Sequence, residues 1–290
     1  MNALNKHMTP NICRLCGHQT TPHLVDARGY DLHRCTHCDF VQVWPQPTLE
    51  ELDKIYQEAY FGHNKYRDEA TLRAENERRL QLVRDHTPDG DLLEVGCGDG
   101  SFAEIAKAHY TVSGFDLSAA GVEKAQARNP DLRERLWVDT LETLTLAPNS
   151  YDVICLWDVI EHIWDPAPGM EKLWNGLKPG GLLVISTPNI GARTAKLMGK
   201  RWAFMTPPEH LSFFDKQSMT YLFETHLNGE IIHWRSVGKR ANIGFILYKI
   251  KRVVSFFPSF IIKLFDREPL SKLAIYVPTG DIQYLVVRKR

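Results

Sequence analysis

Residues 94–100 of this 290-residue chain have the sequence Glu-Val-Gly-Cys-Gly-Asp-Gly. An apolar run, LLEV, leads into this stretch, and a helical pattern, SFAEIAKAHY, follows it. The stretch therefore lies where a strand turns into a helix. Glycines permit such a tight turn and let a ligand lie against bare backbone, while the first turn of the helix offers unpaired N–H groups. The sequence predicts a ligand-binding loop at this point.

Short apolar runs alternate with helical patterns from residue 91 onward. The runs are LLEV, TVSGFD, RLWVD, YDVICLW and GLLVIST, and the helical patterns between them include SAAGVEKAQARN and PGMEKLWNGLK. This alternation is typical of a parallel sheet with helices on both faces. Two later runs, EIIHWRSV and DIQYLVVRKR, bring the strands to seven. The sequence predicts an α/β fold with a doubly wound, mostly parallel, seven-stranded Rossmann-like sheet.

Acidic residues stand at the carboxyl ends of these runs. Asp116 ends the second run, at a distance downstream of Gly96 where an acid can accept hydrogen bonds from ribose hydroxyls. Asp139 ends the third run, and Trp157 and Asp158 end the fourth. In doubly wound sheets, ligands bind outside the carboxyl ends of the strands. We therefore expect a nucleotide-type ligand at this edge.

The motifs EVGCGDG, GFDLS, VDTLE, YDVICLWDVIEHIWDP and LKPGGLLVISTPN follow one another over residues 91–189. Their order resembles that of class I S-adenosylmethionine-dependent methyltransferases, which implies S-adenosylmethionine as cofactor. The residues that this resemblance assigns to the cofactor are Glu94, Gly96, Cys97, Gly98, Gly100, Asp116, Leu117, Asp139, Thr140, Trp157 and Asp158. A nicotinamide-binding domain is the alternative, but ExGCGxG replaces GxGxxG and no substrate domain of dehydrogenase size follows.

In that family, the glutamate of the loop orders it, and its glycines pass under the methionine part of the cofactor. The resemblance implies that Asp116 holds the ribose and that Asp139 holds the adenine. It places Leu117 and Thr140 beside the base.

The segment after the fourth run, Asp158-Val159-Ile160-Glu161-His162, stands beside the expected methyl group. A hydroxyl acceptor gains from a general base of near-neutral pKa, for which histidine is the usual residue. Small-molecule O-methyltransferases carry a similar Glu-His pair, which makes His162 the first candidate base. The alternative is a structural or helix-capping histidine.

A second histidine lies in the segment PPEHLSFFD at residues 207–215, which resembles a string found in bacterial methyltransferases. His210 is the second candidate for the base, or it binds the substrate. The apolar walls of an acceptor pocket would come from Trp202, Phe204, Phe213 and Phe214. Ordinary packing under a lid is the alternative for these aromatic residues.

Four of these polar residues, Asp158, Glu161, His162 and His210, also resemble the metal site of the small-RNA 2′-O-methyltransferases. A divalent ion grips vicinal hydroxyls there, and Mg²⁺ or Mn²⁺ would suit carboxylate and imidazole ligands. The chain departs from that pattern, because Asp158 stands where that family has Glu. A catalytic metal is thus one expectation, and a metal-free site is the other.

Two CxxC pairs, Cys13/Cys16 and Cys35/Cys38, follow each other near the start of the chain. Their spacing indicates a four-thiolate zinc ribbon with a closed, structural site. Metal ligation would substitute for the core that residues 1–40 lack. Rubredoxin-like iron is the alternative metal. The layout that follows, with Pro45, Pro47, Leu52 and Tyr60-Phe61, resembles that of sugar and natural-product tailoring methyltransferases.

The chain divides by composition into three parts. We expect the zinc ribbon at residues 1–46, a helical linker or cap at 47–90, and the S-adenosylmethionine-binding domain at 91–290. Thr48 and Glu51 have the spacing of a helix capping box. Within the last part, a lid is expected at about 190–228 and a basic amphipathic insert at about 243–270.

The 35 basic and 35 acidic residues cancel, but residues 239–290 hold 11 Lys/Arg against three Asp/Glu. A basic, aromatic segment of this kind fits a membrane surface, although a helical cap or a dimer contact is the simpler explanation. The N-terminal sequence MNALNKHMTPNIC lacks the apolar stretch of a secretory signal, and no run of about 18 apolar residues occurs. We expect a cytoplasmic enzyme, with a membrane surface as the alternative partner of the basic segment.

The combined patterns predict transfer of a methyl group from S-adenosylmethionine to a hydroxyl of a small molecule, a sugar or glycan precursor. One alternative is an RNA methyltransferase whose zinc module grips nucleic acid. The nearly balanced charge of residues 1–40, four Lys/Arg against three Asp, argues against it. Another is a membrane-peripheral enzyme that acts on a quinone or a lipid-linked acceptor. O-, N- and C-methylation stay open at this point, as does the oligomeric state.

Overall fold

The computed structural model describes residues 10–48, 50–52, 69–242 and 274–290. Two sheets are present in these ranges. The smaller is antiparallel, with the order β1-β2-β3-β9, and the larger has seven strands in the order β10-β11-β8-β7-β4-β5-β6. The strands are β1 (Thr20–Ala27), β2 (Tyr30–Cys35), β3 (Val41–Trp44), β4 (Gly90–Val95), β5 (Tyr110–Asp116), β6 (Leu136–Val138), β7 (Tyr151–Trp157), β8 (Leu177–Pro188), β9 (Ser212–Phe213), β10 (Glu230–Asn242) and β11 (Ala274–Arg288).

Five neighbouring strands of the large sheet, β6, β5, β4, β7 and β8, are parallel. β11 is antiparallel to both β8 and β10. The predicted mostly parallel, seven-stranded α/β sheet is confirmed. All seven predicted strands form, and β8 and β11 begin several residues earlier than the apolar runs indicate.

Helices cover the large sheet, and most follow the predicted patterns. They are α1 (Glu69–Arg84), α2 (Ser101–Ala106), α3 (Ala119–Arg128), α4 (Pro166–Gly176), α5 (Arg193–Met198) and α6 (Lys216–Thr220), with short 3₁₀ turns at Pro130–Arg135, Ile160–His162 and Gly199–Arg201 and a π turn at Tyr221–His226. Local sequence sets their starts. Ser118 caps α3 by accepting from the Gly121 amide, and Asp215 and Ser218 form a capping box at α6.

Alternation along the central strands builds a core on each face of the large sheet. Leu93 and Ile154 pack into one core, whereas their neighbours Leu92 and Val153 pack into the other. Successive side chains of a strand point to opposite faces, so strands covered on both sides are apolar at every position. This is why the runs in β4 and β7 are apolar except for Glu94 and Asp152, and why the polar residues that follow them stand out.

The cysteine-containing segment shares its core with the rest of the chain. Leu32 and Val43 pack with Trp202, and Phe40 lies against Phe214 with ring centroids 5.1 Å apart. β9, from the predicted lid, adds a fourth strand to its sheet. The sequence indicates too few apolar residues for a core here. The structure shows that this segment buries its apolar residues against residues 190–214 instead.

The predicted capping box at residue 48 is present. The Thr48 amide donates to Glu51 Oε2 at 2.8 Å, and the Glu51 amide donates to Thr48 Oγ1 at 3.2 Å. Residues 53–68 of the predicted helical cap and the basic insert predicted at about 243–270 lie outside the described residues. Among the helices of the described ranges, none is long and apolar enough to cross a membrane.

Candidate functional site

The glycine loop connects β4 to α2 through three left-handed residues. Gly96, Gly98 and Gly100 have φ angles of 73°, 52° and 73°, which other residues adopt only under strain. A Cβ atom at Gly96 would lie 2.7 Å from Val159 Cγ2, and one at Gly100 would lie 2.7 Å from Asn129 Nδ2. Nothing lies within 4 Å of the corresponding position at Gly98. The loop is packed on both sides and open at its middle.

Asp116 ties this loop to the end of β5. Its buried carboxylate accepts the Gly98 amide at Oδ2 and the Ser118 amide at Oδ1, both at 2.9 Å. A carboxylate held by two backbone donors has a fixed orientation, and its remaining lone pairs can accept hydrogen bonds from a ligand. The structure places the residue predicted to hold the ribose directly beside the glycine loop.

An apolar surface extends from the ends of β5 and β6. Leu117 and Val138 are each 50% exposed, which is high for large apolar side chains in this fold. Asp139 stands next to them and accepts from Thr143 Oγ1 at 2.6 Å and from the Thr140 amide at 2.8 Å. These hydrogen bonds, the Thr143 bond first, lower the pKa of Asp139. Sequence reasoning missed Val138, although it is the last apolar residue of a predicted strand.

Glu94 lies beneath the loop with 3% of its surface exposed. Burial raises its pKa well above the usual range, with Arg79 opposing that shift. Its Oε2 atom has no hydrogen-bond partner among the described residues. Cys97 is buried as well, so the loop offers its backbone, and not that thiol, to the cleft.

Arg79, on α1, joins the site from a distant part of the sequence. Its guanidinium lies 5.3 Å from the centroid of the Trp157 ring and forms an ion pair with Asp158. Asp158 also accepts from Ser186 Oγ at 3.0 Å. Desolvation would raise the pKa of Asp158, but Arg79 outweighs it and the pKa is lowered. No local signal marks Arg79, because α1 carries many exposed charged residues.

These features fit the cofactor that the sequence implies. Leu117 and Val138 leave apolar surface exposed at the ends of β5 and β6, and the Asp116 carboxylate lies beside the glycine loop. The unobstructed backbone at Gly98 leaves room for an extended chain. Residues from four different strand ends therefore lie together at the carboxyl edge of the sheet, which we call the cofactor edge.

The two candidate histidines are held in the same way. His162 Nδ1 lies 2.7 Å from the Glu209 carbonyl oxygen, and His210 Nδ1 lies 2.9 Å from the Phe204 carbonyl oxygen. A carbonyl only accepts hydrogen bonds, so each Nδ1 carries a proton when the ring is neutral. The Nε2 atom of each neutral ring then has a free lone pair, which can accept a proton or bind a metal.

His162 and His210 face each other, with ring centroids 4.9 Å apart and an interplanar angle of 76°. We call these two residues the histidine pair. His210 is 7% exposed, and burial lowers its pKa to about 3. Its ring is therefore neutral at physiological pH. His162 is only partly buried and is the more accessible member of the pair.

Glu161 completes a small polar cluster with the histidine pair. It is 2% exposed and accepts from Thr187 Oγ1 at 2.8 Å, while burial raises its pKa well above the usual range. One ligand atom from each of the three residues lies within 4.8 Å of the others. Asp158, the fourth member of the metal site considered above, is not in this group. A divalent cation at this cluster stays a prediction.

Three of the four aromatic residues expected to line a pocket are buried in the protein interior instead. Trp202 donates from Nε1 to Asp281 Oδ2 at 3.0 Å, and Phe213 and Phe214 are at most 2% exposed. Phe204 alone is partly exposed and lies parallel to the His210 ring, with centroids 6.2 Å apart. Trp202, Phe213 and Phe214 therefore follow the alternative explanation, ordinary packing in the interior.

The four predicted cysteines converge. Sγ of Cys13 is 3.7 Å from that of Cys38, and Sγ of Cys16 is 3.4 Å from that of Cys35. None forms a disulfide, and the four sulfur atoms lie within 4.8 Å of one another. Zn–S bonds of about 2.3 Å arranged tetrahedrally would give sulfur–sulfur distances of about 3.8 Å. The cluster therefore fits a tetrathiolate metal site.

Comparison with known proteins assigns the chain to a family. A family model described as "Methyltransferase domain" matches residues 56–226, more than half of the chain. The chain therefore belongs to the methyltransferase-domain family, the S-adenosylmethionine-dependent methyltransferases of the class I fold.

Curated relatives match part of the chain. A "Probable S-adenosylmethionine-dependent methyltransferase" of Mycolicibacterium smegmatis is 40% identical over 102 residues, which cover 34% of this chain and 38% of that protein. A ubiquinone biosynthesis O-methyltransferase of Chelativorans sp. is 30% identical over 168 residues, which cover 52% of this chain and 64% of that protein. The chain thus spans between about four tenths and two thirds of the length of these relatives.

Solved structures share the fold at low sequence identity. An S-adenosylmethionine dependent methyltransferase from Mesorhizobium loti has a TM-score of 0.50 at 17% identity, covering 73% of this chain and 96% of that chain. The YcgJ protein from Bacillus subtilis has a TM-score of 0.52 at 14% identity, covering 74% and 99%. These similarities show the Rossmann-like methyltransferase fold.

Proposed function

We propose that this protein transfers a methyl group from S-adenosylmethionine to a hydroxyl of a small molecule, a sugar or glycan precursor. The observation that carries the proposal is the histidine pair, which follows the strand end at Asp158 and presents Nε2 lone pairs. Methyl transfer to an amine or a thiolate has less need of a base, whereas a hydroxyl gains from one. The site is therefore equipped for a hydroxyl.

The cofactor, when bound, supplies an electrophilic methyl group on a sulfonium. The chain's residues bind and orient it: Asp116 accepts from the ribose, and Leu117 and Val138 contact the base. Alignment of acceptor oxygen, methyl carbon and sulfur supplies much of the rate in such a transfer. His162 Nε2 takes the hydroxyl proton as the oxygen attacks, because His162 is the more accessible of the pair.

His210 has a supporting role in this proposal. A buried imidazole whose pKa is about 3 stays neutral and is a weak proton acceptor. Its ring packs edge-on against that of His162 and limits how far His162 can rotate. We expect His162→Ala to remove most of the activity, by roughly 10²–10⁴-fold, and His210→Ala to remove less.

An assay with tritiated methyl groups tests the proposal. The protein and labelled S-adenosylmethionine are incubated with a cell extract that has been divided into RNA, lipid and small polar fractions. Label in the polar fraction, lost in His162→Ala, supports the proposal. Label in RNA would contradict it. Full activity in both histidine variants would show that the acceptor needs no histidine base.

Cofactor binding is tested separately by calorimetry. Asp116→Ala removes the carboxylate at the centre of the cofactor edge. Hydrogen bonds to a charged group are worth about 1.5–3 kcal/mol, so we expect the Kd for S-adenosylmethionine to rise by about 10–100-fold. An unchanged Kd would show that the ribose assignment is wrong.

We also propose that Cys13, Cys16, Cys35 and Cys38 hold one structural Zn²⁺. The sulfur–sulfur distances support this, as does the buried position of three of the four cysteines. With four protein ligands the site is closed, so the ion has no open position for a substrate. Metal analysis of protein purified without added zinc should give about one tightly held ion per chain. Cys35→Ser should reduce that content sharply, and protein without metal that keeps its fold would contradict the proposal.

A second candidate acceptor is a quinone precursor or a lipid-linked hydroxyl. It is supported by the relative named as a ubiquinone biosynthesis O-methyltransferase and by the basic composition of residues 239–290. A membrane surface would then be a partner of the protein. Label in the lipid fraction, together with flotation of the protein on anionic liposomes, would favour this acceptor over a polar one.

A further inference from the structure

Arg14, inside the first CxxC pair, is the feature of the cysteine-containing segment that the proposed function leaves without a role. Its side chain is buried, at 4% exposure. The guanidinium carbon lies 3.5 Å from the centroid of the Trp164 ring, and Nη2 donates to the Leu211 carbonyl at 2.9 Å. Trp164 is two positions beyond His162, and Leu211 follows His210. One side chain thus contacts both segments that carry the histidine pair.

These two segments are also joined directly to each other. The Leu211 amide donates to the Glu161 carbonyl at 2.8 Å, and Ser212 Oγ donates to the Ile163 carbonyl at 2.7 Å. The bond between His162 Nδ1 and the Glu209 carbonyl belongs to the same set. A shift of the Leu211 carbonyl would therefore move both histidines. His162 is hydrogen-bonded to this segment through the Glu209 carbonyl, and His210 belongs to the segment.

The burial of Arg14 is costly in this position. Its Nε and Nη1 atoms have no hydrogen-bond partner among the described residues. A well-packed apolar side chain in place of a poorly satisfied buried charge is often neutral or stabilising. The stability of the fold alone therefore does not explain an arginine at this position. A requirement to hold the Leu211 carbonyl and the Trp164 ring in place does explain it.

We propose that Arg14 is a positioning residue through which the cysteine cluster sets the alignment of His162 and His210, while the cofactor edge is set independently. The inference rests on the proposed function only in giving the histidine pair its acceptor-side role. The Arg14 side chain contacts the histidine segments, whereas the glycine loop is held by Asp116 and Asn129. Cys13 and Cys16, on either side of Arg14 in the sequence, belong to the metal cluster, so a closed cluster fixes the backbone there.

The test compares Arg14→Met and Arg14→Lys with Arg34→Met. Arg34 is the matched control, because it joins the same segment to the rest of the chain by an ion pair with Asp215 at 3.5 Å and pairs with Asp39 of its own segment at 3.7 Å, away from the Leu211 carbonyl and the Trp164 ring. Methionine keeps the length and apolar character of the stem, whereas lysine keeps the charge and an N–H donor group without the planar stacking.

Four quantities are measured on the full chain: zinc content, the Kd for S-adenosylmethionine, methyl transfer to the extract fraction that takes label, and the Nδ1–H resonances of the two histidines. We expect Arg14→Met to lower methyl transfer by about 10–100-fold. Its zinc content should be unchanged, and its Kd for the cofactor should stay within about twofold of wild type. The Nδ1–H protons should exchange faster with water. Arg14→Lys should be intermediate in methyl transfer and in the exchange rate of the Nδ1–H protons. Arg34→Met should resemble wild type in all four quantities.

Unchanged transfer and unchanged histidine resonances in Arg14→Met would overturn the inference. A parallel loss of zinc and of cofactor affinity in both Arg14 variants would also overturn it, because Arg14 would then be an ordinary structural residue. If the wild-type protein labels no fraction, the proposed function fails. The histidine resonances, zinc content and cofactor Kd still decide the role of Arg14 in that case.

Discussion

The cofactor edge and the histidine pair are neighbours in space but are built in different ways. At the cofactor edge, the residues stand at or directly after the ends of their own strands, and Asp139 accepts hydrogen bonds from its near neighbours Thr140 and Thr143, whereas Asp158 pairs with the distant Arg79. The histidine pair is assembled from two segments on opposite sides of β8 in the sequence, and Arg14, near the start of the chain, contacts Trp164 and Leu211 of these segments. The first arrangement depends on local backbone geometry, and the second depends on tertiary packing.

This difference has a consequence for mutations. Changes at the cofactor edge should act through one loop and should be explained by local strain and lost hydrogen bonds. The effects of mutations around the histidine pair should extend to both of its segments, since residues in one hydrogen-bonded network are coupled. The following predictions test the contrast, beginning with the largest effect.

Gly100→Ala should destabilise the protein by about 2–5 kcal/mol. An alanine with φ near 73° is strained by about 1–2 kcal/mol, and its Cβ would lie 2.9 Å from Ala125 Cα, an overpacking that costs about 1–3 kcal/mol. Gly98→Ala is the matched control, because the space beside it is open. It should cost only about 1–2 kcal/mol of backbone strain. Denaturant unfolding measures both, and equal losses would contradict the local account of the loop.

The buried His210 should make stability depend on pH. Its folded pKa of about 3 lies below the unfolded value of 6.5, so the unfolded state binds more protons between these values. The contribution of neutral His210 is fully present above about pH 6.5 and is lost as the pH falls toward 3. Lowering the pH from about 6.5 to about 5 should cost about 2 kcal/mol through this residue.

His210→Asn isolates that contribution. The asparagine amide can still donate to the Phe204 carbonyl, but it does not titrate in this range. The unfolding free energy of the variant should fall less steeply below pH 6.5 than that of the wild type. Parallel curves for wild type and His210→Asn would show that His210 is not held in a neutral form by burial.

Ser212→Ala should have the smallest effect on stability, about 1 kcal/mol, because it removes one buried hydrogen bond to the Ile163 carbonyl. Its effect on activity should be larger than the stability loss suggests, since this bond joins the two histidine segments. Thr143→Ala removes a comparable bond to Asp139 at the cofactor edge and is the counterpart there. It should raise the KM for S-adenosylmethionine and leave kcat nearly unchanged, whereas Ser212→Ala should lower kcat. The reverse pattern would contradict the separation of the two regions.

Local patterns in the sequence were sufficient to predict the large sheet and the cofactor edge. The glycine loop and the strand-end acids are marked by their positions directly at the ends of apolar runs, and strand ends of a parallel sheet meet at one edge. The convergence of the four cysteines was predictable because the spacing of metal ligands is itself a local pattern.

Contacts between distant segments were not predictable in this way. Arg79 and Arg14 resemble any charged residue of a helix or a turn, and only the tertiary fold places one beside Asp158 and the other beside Leu211. The pairing of β9 with β3 was missed for the same reason, because so short a strand cannot show alternation. The aromatic residues near His210 were assigned to a pocket, although most of them fill the core that the cysteine-containing segment shares.

The most direct test of the account is the chemical identity of the bond that is made. The protein is incubated with S-adenosylmethionine carrying a ¹³C-labelled methyl group and with the extract fraction that accepts label, and the product is examined by carbon NMR. If the protein methylates a hydroxyl with His162 as the base, the product should show a methoxy resonance that is absent with His162→Ala. An N-methyl or C-methyl resonance, or a methoxy product that forms equally well without His162, would contradict it.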